Sequence, residues 1–396
     1  MDTIPRVRFA LSSSGSPHVN HLHVALFGWA LARSLDGDLI LRIDGDVNHA
    51  QHDALNWLGV DWDEQPKRQS AHYLTTVTTL IECKAAYKDG GAIRLRLSSM
   101  NNPILIYADG RVAQPLASAV DDHDMEITHV VSHTQDAPTQ LAIYNALDWQ
   151  PPKRVYLPPA LTQQQQPLPT RGYQVRDFQQ AGFLPQALWN YLLQLNWASP
   201  SSQKLLTKWT VRQKFRVDAL LPHSSIFDWE TLRAINQQCI QTLGAEALAA
   251  HLRDFVEDAY GALPSSNRWL LDLTTAVRDE LVVLEDVIDS AEWAFDPPEP
   301  TVAANAALRT PAAKPALTHL LAELASVVLL DHATGNSILK SLCERLNAQH
   351  GWDAAQVMLP IRAALIGRTD GAALSQVLGI LGKQRSIERI AAALRQ

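Results

Sequence analysis

The stretch from Arg6 to Asp46 constrains the fold of this chain more than any other. Val7 to Ala10 read as a short apolar strand. A turn of small residues follows, Ser12-Ser13-Ser14-Gly15-Ser16-Pro17, and His18-Val19-Asn20-His21 then opens a helix that carries Leu22, Leu26 and Trp29 on one stripe. Gly37, after Leu35-Asp36, suits the turn at the end of that helix. A second strand, Asp38 to Ile43, ends in Asp44 and Asp46. Strand, small-residue turn, helix and strand open a parallel sheet of the nucleotide-binding kind, in which turn amides and a helix N-terminus face a phosphate. By residue type alone the pattern is common, because Ser/Gly turns often precede helices.

At 396 residues the chain is long enough for two to four domains with substantial cores. With 46% hydrophobic and 19% charged residues it reads as globular, and no apolar run approaches the roughly 20 residues of a membrane span. The N-terminus lacks a basic segment followed by an apolar one, so a cytoplasmic location is expected. Cys83, Cys239 and Cys343 stand far apart without a CxxC pair, which argues against zinc and disulfides and for buried small apolar side chains. A net charge of −7 disfavours indiscriminate nucleic-acid binding and leaves room for a local basic face.

The order of the opening residues adds more than their types. Arg8, Phe9, Ala10, Ser12, Gly15, His18 and His21 fall in register with R-F-A-P-S-P-T-G-x-x-H-I-G-H, and the helix that follows matches A-L-F-x-W. This resembles the glutamyl-tRNA synthetases, a family of class I aminoacyl-tRNA synthetases. Gly59-Val60-Asp61-Trp62-Asp63-Glu64 is similar to the family's L-G-L-D-W-D-E, and Ala117 to His123 to its F-A-x-V-V-D-D-H. Val175 to Trp197, Phe227 to Ile240, Leu359 to Arg368 and Leu378 to Arg389 continue the match almost to the end.

The resemblance implies α/β architecture followed by all-α. A Rossmann-like catalytic-type domain (1–160) leads into a helical connector (161–240) and a helical anticodon-binding-like domain (241–396). From about Gln241 the pattern is helical, interrupted by a Pro- and Ala-rich linker near Phe295 to Pro315. The family's acceptor-binding insertion follows a segment resembling Ala86-Tyr87. Here Lys88-Asp89-Gly90-Gly91 leads straight to Ala92 to Leu97, so about half of that insertion, with any zinc ligands, is expected to be missing.

The family's reaction joins a carboxylate to the α-phosphate of ATP, which requires aligned substrates and a neutralised triphosphate. The resemblance makes His18, Asn20 and His21 the ATP-binding candidates. However, Asn20 stands where the family has a glycine that lets adenine lie against the backbone. His18 and His21 either bind a nucleotide or do ordinary packing and capping; the sequence does not separate the two. The family's K-L-S-K-R is replaced by Pro167-Leu168-Pro169-Thr170-Arg171-Gly172, so both lysines are gone and Arg171 keeps the charge. The Gln163 to Gln166 run beside it reads as a solvated linker.

Arg8, Ser12, Asp44 and Gln114 are the amino-acid-pocket candidates, with Gln114 in place of a tyrosine. A salt bridge between strand ends is the ordinary alternative for Arg8 and Asp44. The run Val130-Val131-Ser132-His133-Thr134-Gln135-Asp136-Ala137-Pro138 is three residues shorter than its counterpart and lacks that segment's arginine and acidic pair. His18, His21 and Arg171 are therefore expected to be vestigial as catalytic groups, and ATP with Mg is expected only if the nucleotide site survives.

Two basic sets fall where the family contacts tRNA. Lys204, Lys208, Arg212, Lys214 and Arg216 have Trp209 and Phe215 interleaved. Arg362, Arg368, Lys383, Arg385, Arg389 and Arg395 lie in the terminal helices. Phosphate contacts supply most sequence-independent affinity, although a charge run is as readily a solvated helix face. The expectation is a glutamyl-tRNA synthetase paralogue unable to activate glutamate, acting as a tRNA- or protein-binding pseudoenzyme. The alternative is an active ATP-dependent ligase that adenylates glutamate or another carboxylic acid.

Overall fold

The computed structural model describes residues 4–12, 17–44, 49–66, 70–97, 102–133, 137–199, 205–263, 267–297 and 299–395. The chain divides into two compact units, residues 1–179 with 185–235, and residues 180–184 with 236–396.

The first unit begins with β1 (Arg6–Ser12), α1 (Val19–Ser34), β2 (Asp38–Asp44), α2 (His49–Leu58) and α3 (Ser70–Glu82). Then come β3 (Ala86–Asp89), β4 (Ala92–Leu95), β5 (Ile104–Ile106), α4 (Gln114–Asp124), β6 (His129–Ser132), α5 (Pro138–Ala146) and β7 (Lys153–Tyr156). Further helices follow: α6 (Val175–Gln180), α7 (Pro185–Asn196), α8 (Lys208–Lys214) and α9 (Trp229–Thr242), the last of which belongs to this unit up to Ile235. The main sheet has the order β2-β1-β6-β7 and is parallel throughout. A smaller antiparallel sheet, β3-β4-β5, stands beside it in the chain order.

Helix α1 carries no charge before Arg33. From Ala25 to Ala32 it is buried on every side, through Phe27 and Trp29, so the stripe read from the sequence widens there into an all-round buried surface. Its end is a Schellman turn, in which Asp36 takes the left-handed conformation (φ 51°) and the Gly37 N–H donates to Ala32 O at 2.9 Å. Gly37 is needed for a different reason. A Cβ there would lie 2.2 Å from Pro5 O, where β1 and β2 start side by side.

The run after α2 clamps the sheet edge. Arg6 donates to both Glu64 carboxylate oxygens at 2.8 Å, while Arg33 meets Asp61 and Asp63 at 2.7 Å each. Between β3 and β4, Gly90 (φ 56°) and Gly91 (φ 87°) form a two-residue hairpin with Asp89 opposite Ala92. The chain thus turns back directly at the point where the acceptor-binding insertion was expected to be trimmed.

The second unit is helical: α10 (Ala245–Tyr260), α11 (Asn267–Val277), α12 (Val287–Phe295), α13 (Val302–Leu308), α14 (Ala313–Ser326), α15 (His332–His350), α16 (Ala354–Ile366) and α17 (Leu374–Ala393). Helix α17 is broken at Gly382, where φ is +70°. The Pro- and Ala-rich stretch expected to be a linker instead contains α13 and the start of α14. Thr301 caps α13 by accepting from the Ala304 N–H, and its alanines favour helix. Of the three cysteines expected to be buried, Cys239 is, Cys343 is half-buried and Cys83 is exposed.

Asp353 and Gln356 form a reciprocal capping box at the start of α16. Asp353→Ala is expected to cost about 1 kcal/mol and lower the melting temperature of this unit by ~2–4 °C. A scanning-calorimetry shift indistinguishable from zero would show the cap to be dispensable. Among the described residues, no helix is long and apolar enough to cross a membrane.

Candidate active site

The parallel sheet changes direction at β1, which has β2 on one side and β6 on the other. In open α/β sheets, ligands bind outside the carboxyl ends of the strands at such a switch point. Here that crevice is bounded by the start of α1, the end of β6 and the segment after β7.

His18 is the N-cap of α1. Its Nδ1 accepts from the Asn20 N–H at 3.1 Å, so the proton belongs on Nε2, which donates to Pro169 O at 3.2 Å. Burial lowers its pKa, and the ring is neutral at pH 7. The segment carrying Pro169 is also tied to the helix start through the Val19 N–H, which donates to Tyr173 O at 2.8 Å, and the Val175 N–H, which donates to Pro17 O at 3.0 Å. The His21 N–H turns back to His18 O at 2.8 Å. The first three amides of α1, those that could face a phosphate, therefore all have partners inside the protein.

Asn20 reaches across the crevice. Its Nδ2 donates to Ala160 O at 3.2 Å, and its Oδ1 accepts from the Ala160 N–H at 3.1 Å. His133, at the end of β6, places Nε2 3.0 Å from Asn20 O and Nδ1 2.7 Å from Leu157 O. A neutral imidazole donates to one of these carbonyls, and an imidazolium to both.

Below the crevice lies a cavity of about 470 Å³ lined by Arg8, His21, Gln114, Ser132, His133 and Arg154, among others. Arg8 is nearly buried. It meets both carboxylate oxygens of Asp122 on α4, through Nε to Oδ1 and through Nη2 to Oδ2 at 3.0 Å. Its partner is thus a helix carboxylate, while the register puts Asp44 opposite Ser12, four residues further along the sheet. The side chains of Ser12 and Asp44 lie outside the described residues.

Gln114 donates to Ser118 Oγ at 2.9 Å, and Arg42 donates to the same oxygen at 3.2 Å. Arg154 donates to Gln140 Oε1 at 3.0 Å from the neighbouring strand. Guanidinium and carboxamide groups in one cavity suit a small carboxylate. His21 keeps an exposed edge on it, with a pKa lowered by burial and then by His18 and His133.

Gln163 to Gln166 are exposed, as a solvated run should be, and the segment standing in place of K-L-S-K-R follows them. The Thr162 N–H donates to Gln166 O at 2.8 Å, Leu161 bridges Pro167, and Leu168 is buried as an anchor. Arg171 is exposed. Among the described residues, no group of three or more His, Cys, Asp or Glu could hold a metal ion.

His23 sits fully buried between Phe27 (4.9 Å) and His133 (5.9 Å), and neither ring nitrogen has a hydrogen-bond partner among the described residues. Burial, then the charge of His133, holds its pKa well below the usual 6.5. The unfolded chain therefore binds a proton below about pH 6.5 that the folded one refuses. Stability is present above that pH and is lost as pH falls, by up to about 1.4 kcal/mol per pH unit. His18, His21 and His129 are shifted the same way. His23→Leu should flatten the pH dependence of melting between pH 7.5 and 5.5, and an unchanged slope would contradict this.

Residues 5–93 and 90–234 match the family described as tRNA synthetases class I (E and Q), catalytic domain. The chain belongs to this synthetase family. The two parts of the match meet at residues 90–93, at the Gly90-Gly91 hairpin. Residues 247–394 match the anticodon binding domain. A glutamate–tRNA ligase of Akkermansia muciniphila is 27% identical over 98% of both chains, and one of Oleidesulfovibrio alaskensis is 29% identical over 98% of this chain and 99% of its own. The crystal structure of a glutamate tRNA ligase from Elizabethkingia meningosepticum, solved in complex with its amino acid, aligns over the whole of both chains with a TM-score of 0.78 at 19% identity. Catalytic-type sheet, helical region and anticodon-binding-type domain thus follow in the order of a glutamate–tRNA ligase fold.

Within this chain, many of the basic candidates are engaged by the protein itself. Lys208 lies 3.5 Å from Asp61 and Arg212 2.7 Å from Asp36. Phe215 is buried against Phe27 and Trp197, so only Trp209 of the interleaved aromatics is exposed. Lys214 and Arg216 are exposed, although Arg216 also donates to Gln213 O and Phe215 O at 3.2 and 2.6 Å, and Lys204 lies outside the described residues. In the second unit Arg362 donates to Ala372 O at 2.5 Å and Arg368 meets Glu280 at 3.3 Å. Lys383, Arg385 and Arg389 all donate to backbone carbonyls. Sequence reading missed Ala160 and Arg154. Ala160 acts through its backbone, and Arg154 reaches the cavity only because β7 pairs with β6, so neither leaves a mark on residue type.

Proposed function

We propose that this glutamate–tRNA ligase-like protein binds tRNA and does not activate glutamate. One observation carries the reading: the segment that should neutralise a triphosphate holds Arg171 as its one cation and is docked onto the start of α1, where Pro169 O accepts from the His18 ring and Tyr173 O from the Val19 N–H. Loss of such transition-state contacts costs orders of magnitude in rate.

The match to the anticodon binding domain supports tRNA as the partner, and the exposed Trp209 with Lys214 and Arg216 offers a stacking and phosphate surface on the first unit. A protein partner is the other binding role. A salt titration separates them, since tRNA affinity should fall steeply between 50 and 200 mM salt, by about tenfold or more. The second reading, adenylation of glutamate or another carboxylic acid, is favoured by the guanidinium-lined cavity.

Pyrophosphate exchange across a panel of amino and organic acids, with and without tRNA, tests the choice. Background-level exchange throughout supports the proposal. Turnover with any acid overturns it.

A further inference from the structure

The geometry points to Asn20 as a fixed occupant of the place where an adenine base would lie, so that this crevice excludes adenine nucleotides through one side chain. The inference deepens the reading given above, in which the site does not use ATP.

Adenine is expected at this switch point from the fold, and the structure allows the fit to be tested. Ala160, just past β7, turns its whole backbone edge toward the crevice, one N–H to donate and one carbonyl to accept. Both are taken by Asn20, through Oδ1 at 3.1 Å and Nδ2 at 3.2 Å. The edge of adenine offers the same pair, an N6–H donor beside the N1 acceptor. A carboxamide is that pair of atoms without the ring. The base and the side chain therefore compete for the same two hydrogen bonds, and the side chain is already in place.

Asn20 is also pinned at its backbone. His133 Nε2 lies 3.0 Å from its carbonyl oxygen, and its N–H donates to His18 Nδ1 at 3.1 Å. Those two histidines are held in turn by Leu157 O and Pro169 O. Swinging the side chain away would leave the Ala160 N–H and carbonyl without partners, a cost that rotation alone does not recover. Asparagine is a poor residue for the first turn of a helix once the cap is already supplied by another group. Its contact with Ala160 gives it a reason to be there, and the same contact staples the segment after β7 to α1.

The match has a polarity that can be read out. Ala160 accepts at its carbonyl and donates at its N–H, which fits adenine. Hypoxanthine and guanine offer an O6 acceptor and an N1–H donor in the reverse order, so they can pair with Ala160 only with the base turned over, which sends the ribose to the other side of the crevice. If Asn20 is the plug, removing it should open a site that takes adenosine and rejects inosine.

The full-length protein and its Asn20→Gly and Asn20→Ala variants would be titrated with adenosine and with inosine by calorimetry and ligand-observed NMR. Adenosine carries no phosphate, so the result is independent of Arg171 and of any reaction. The crevice can fail this test while the protein still fails to activate glutamate, and the two readings are thereby told apart. The expected result is no adenosine binding by the wild type, a gain of about tenfold or more in both variants, and a similar preference for adenosine over inosine. Wild-type binding as tight as that of the variants would overturn the inference, because the crevice would then be open with Asn20 in it. A variant that melts like the wild type and gains no adenosine binding would overturn it too, as would equal binding of adenosine and inosine. Asn20→Ala keeps helix propensity at this position, so a folding defect confined to Asn20→Gly does not decide the outcome.

Discussion

Arg389→Ala is expected to lower the melting temperature of the helical unit by about 10 °C, from a loss of about 3–5 kcal/mol. Arg389 is 8% exposed and donates to Trp293 O and Leu365 O at 2.6 Å each and to Asp296 O at 2.9 Å. These carbonyls lie at the ends of α12 and α16, where no further turn of helix exists to satisfy them. Burial, and then neighbouring Arg385, pushes the Arg389 pKa down to about 10, which leaves it charged at neutral pH and suited to two negative helix ends. Truncation removes the cation and strands three acceptors at once. Arg389→Lys should recover less than half of the loss, because one ammonium cannot reach both helices. Calorimetry that finds the alanine variant within about 2 °C of wild type would refute the capping role.

The second large effect is expected in the first unit. Asp122→Ala should cost about 3–5 kcal/mol, because it leaves the Arg8 guanidinium nearly buried without a counter-ion. The double substitution Arg8→Met with Asp122→Leu should return most of that stability, since a buried ion pair and a packed apolar pair are of similar worth while a half-pair is not. The two melting curves decide between roles. Full recovery in the double variant makes Arg8 a structural residue of this fold, and a single variant that melts like wild type would remove the pair from the account.

The first strand and helix and the second strand were legible from local chemistry, and the order of sheet and helical domain from the resemblance, whereas the opening turn at 13–16 lies outside the described residues and the hairpin at Gly90-Gly91 was not read as one. A buried helix needs apolar residues, and a helix end needs a cap. The site was harder to read. The histidine at position 18 could be located, but its role depends on Pro169, which is 151 residues away. The partner of Arg8 is Asp122 on a distant helix, and nothing at either position distinguishes that carboxylate from Asp44. Asn20 was legible as an obstacle in place of glycine, whereas the reciprocal pair with Ala160 was not, since any residue has an N–H and a carbonyl.

The basic runs show the same limit from the other side. Arg385 and Arg389 look like a charged helix face in the sequence, yet they serve carbonyls inside their own unit. A count of arginines therefore overstates the surface left for nucleic acid. That surface is better sought on and just after α8, where Trp209, Lys214 and Arg216 are each exposed.

The most direct measurement of the central claim is tRNA charging by one preparation whose tRNA binding has already been established. Labelled glutamate, ATP, Mg and tRNA would be incubated with the protein, with acid-precipitable label followed over time. Retained tRNA binding and no label above the no-enzyme control are expected. Glutamate attached to tRNA at a steady catalytic rate would contradict it.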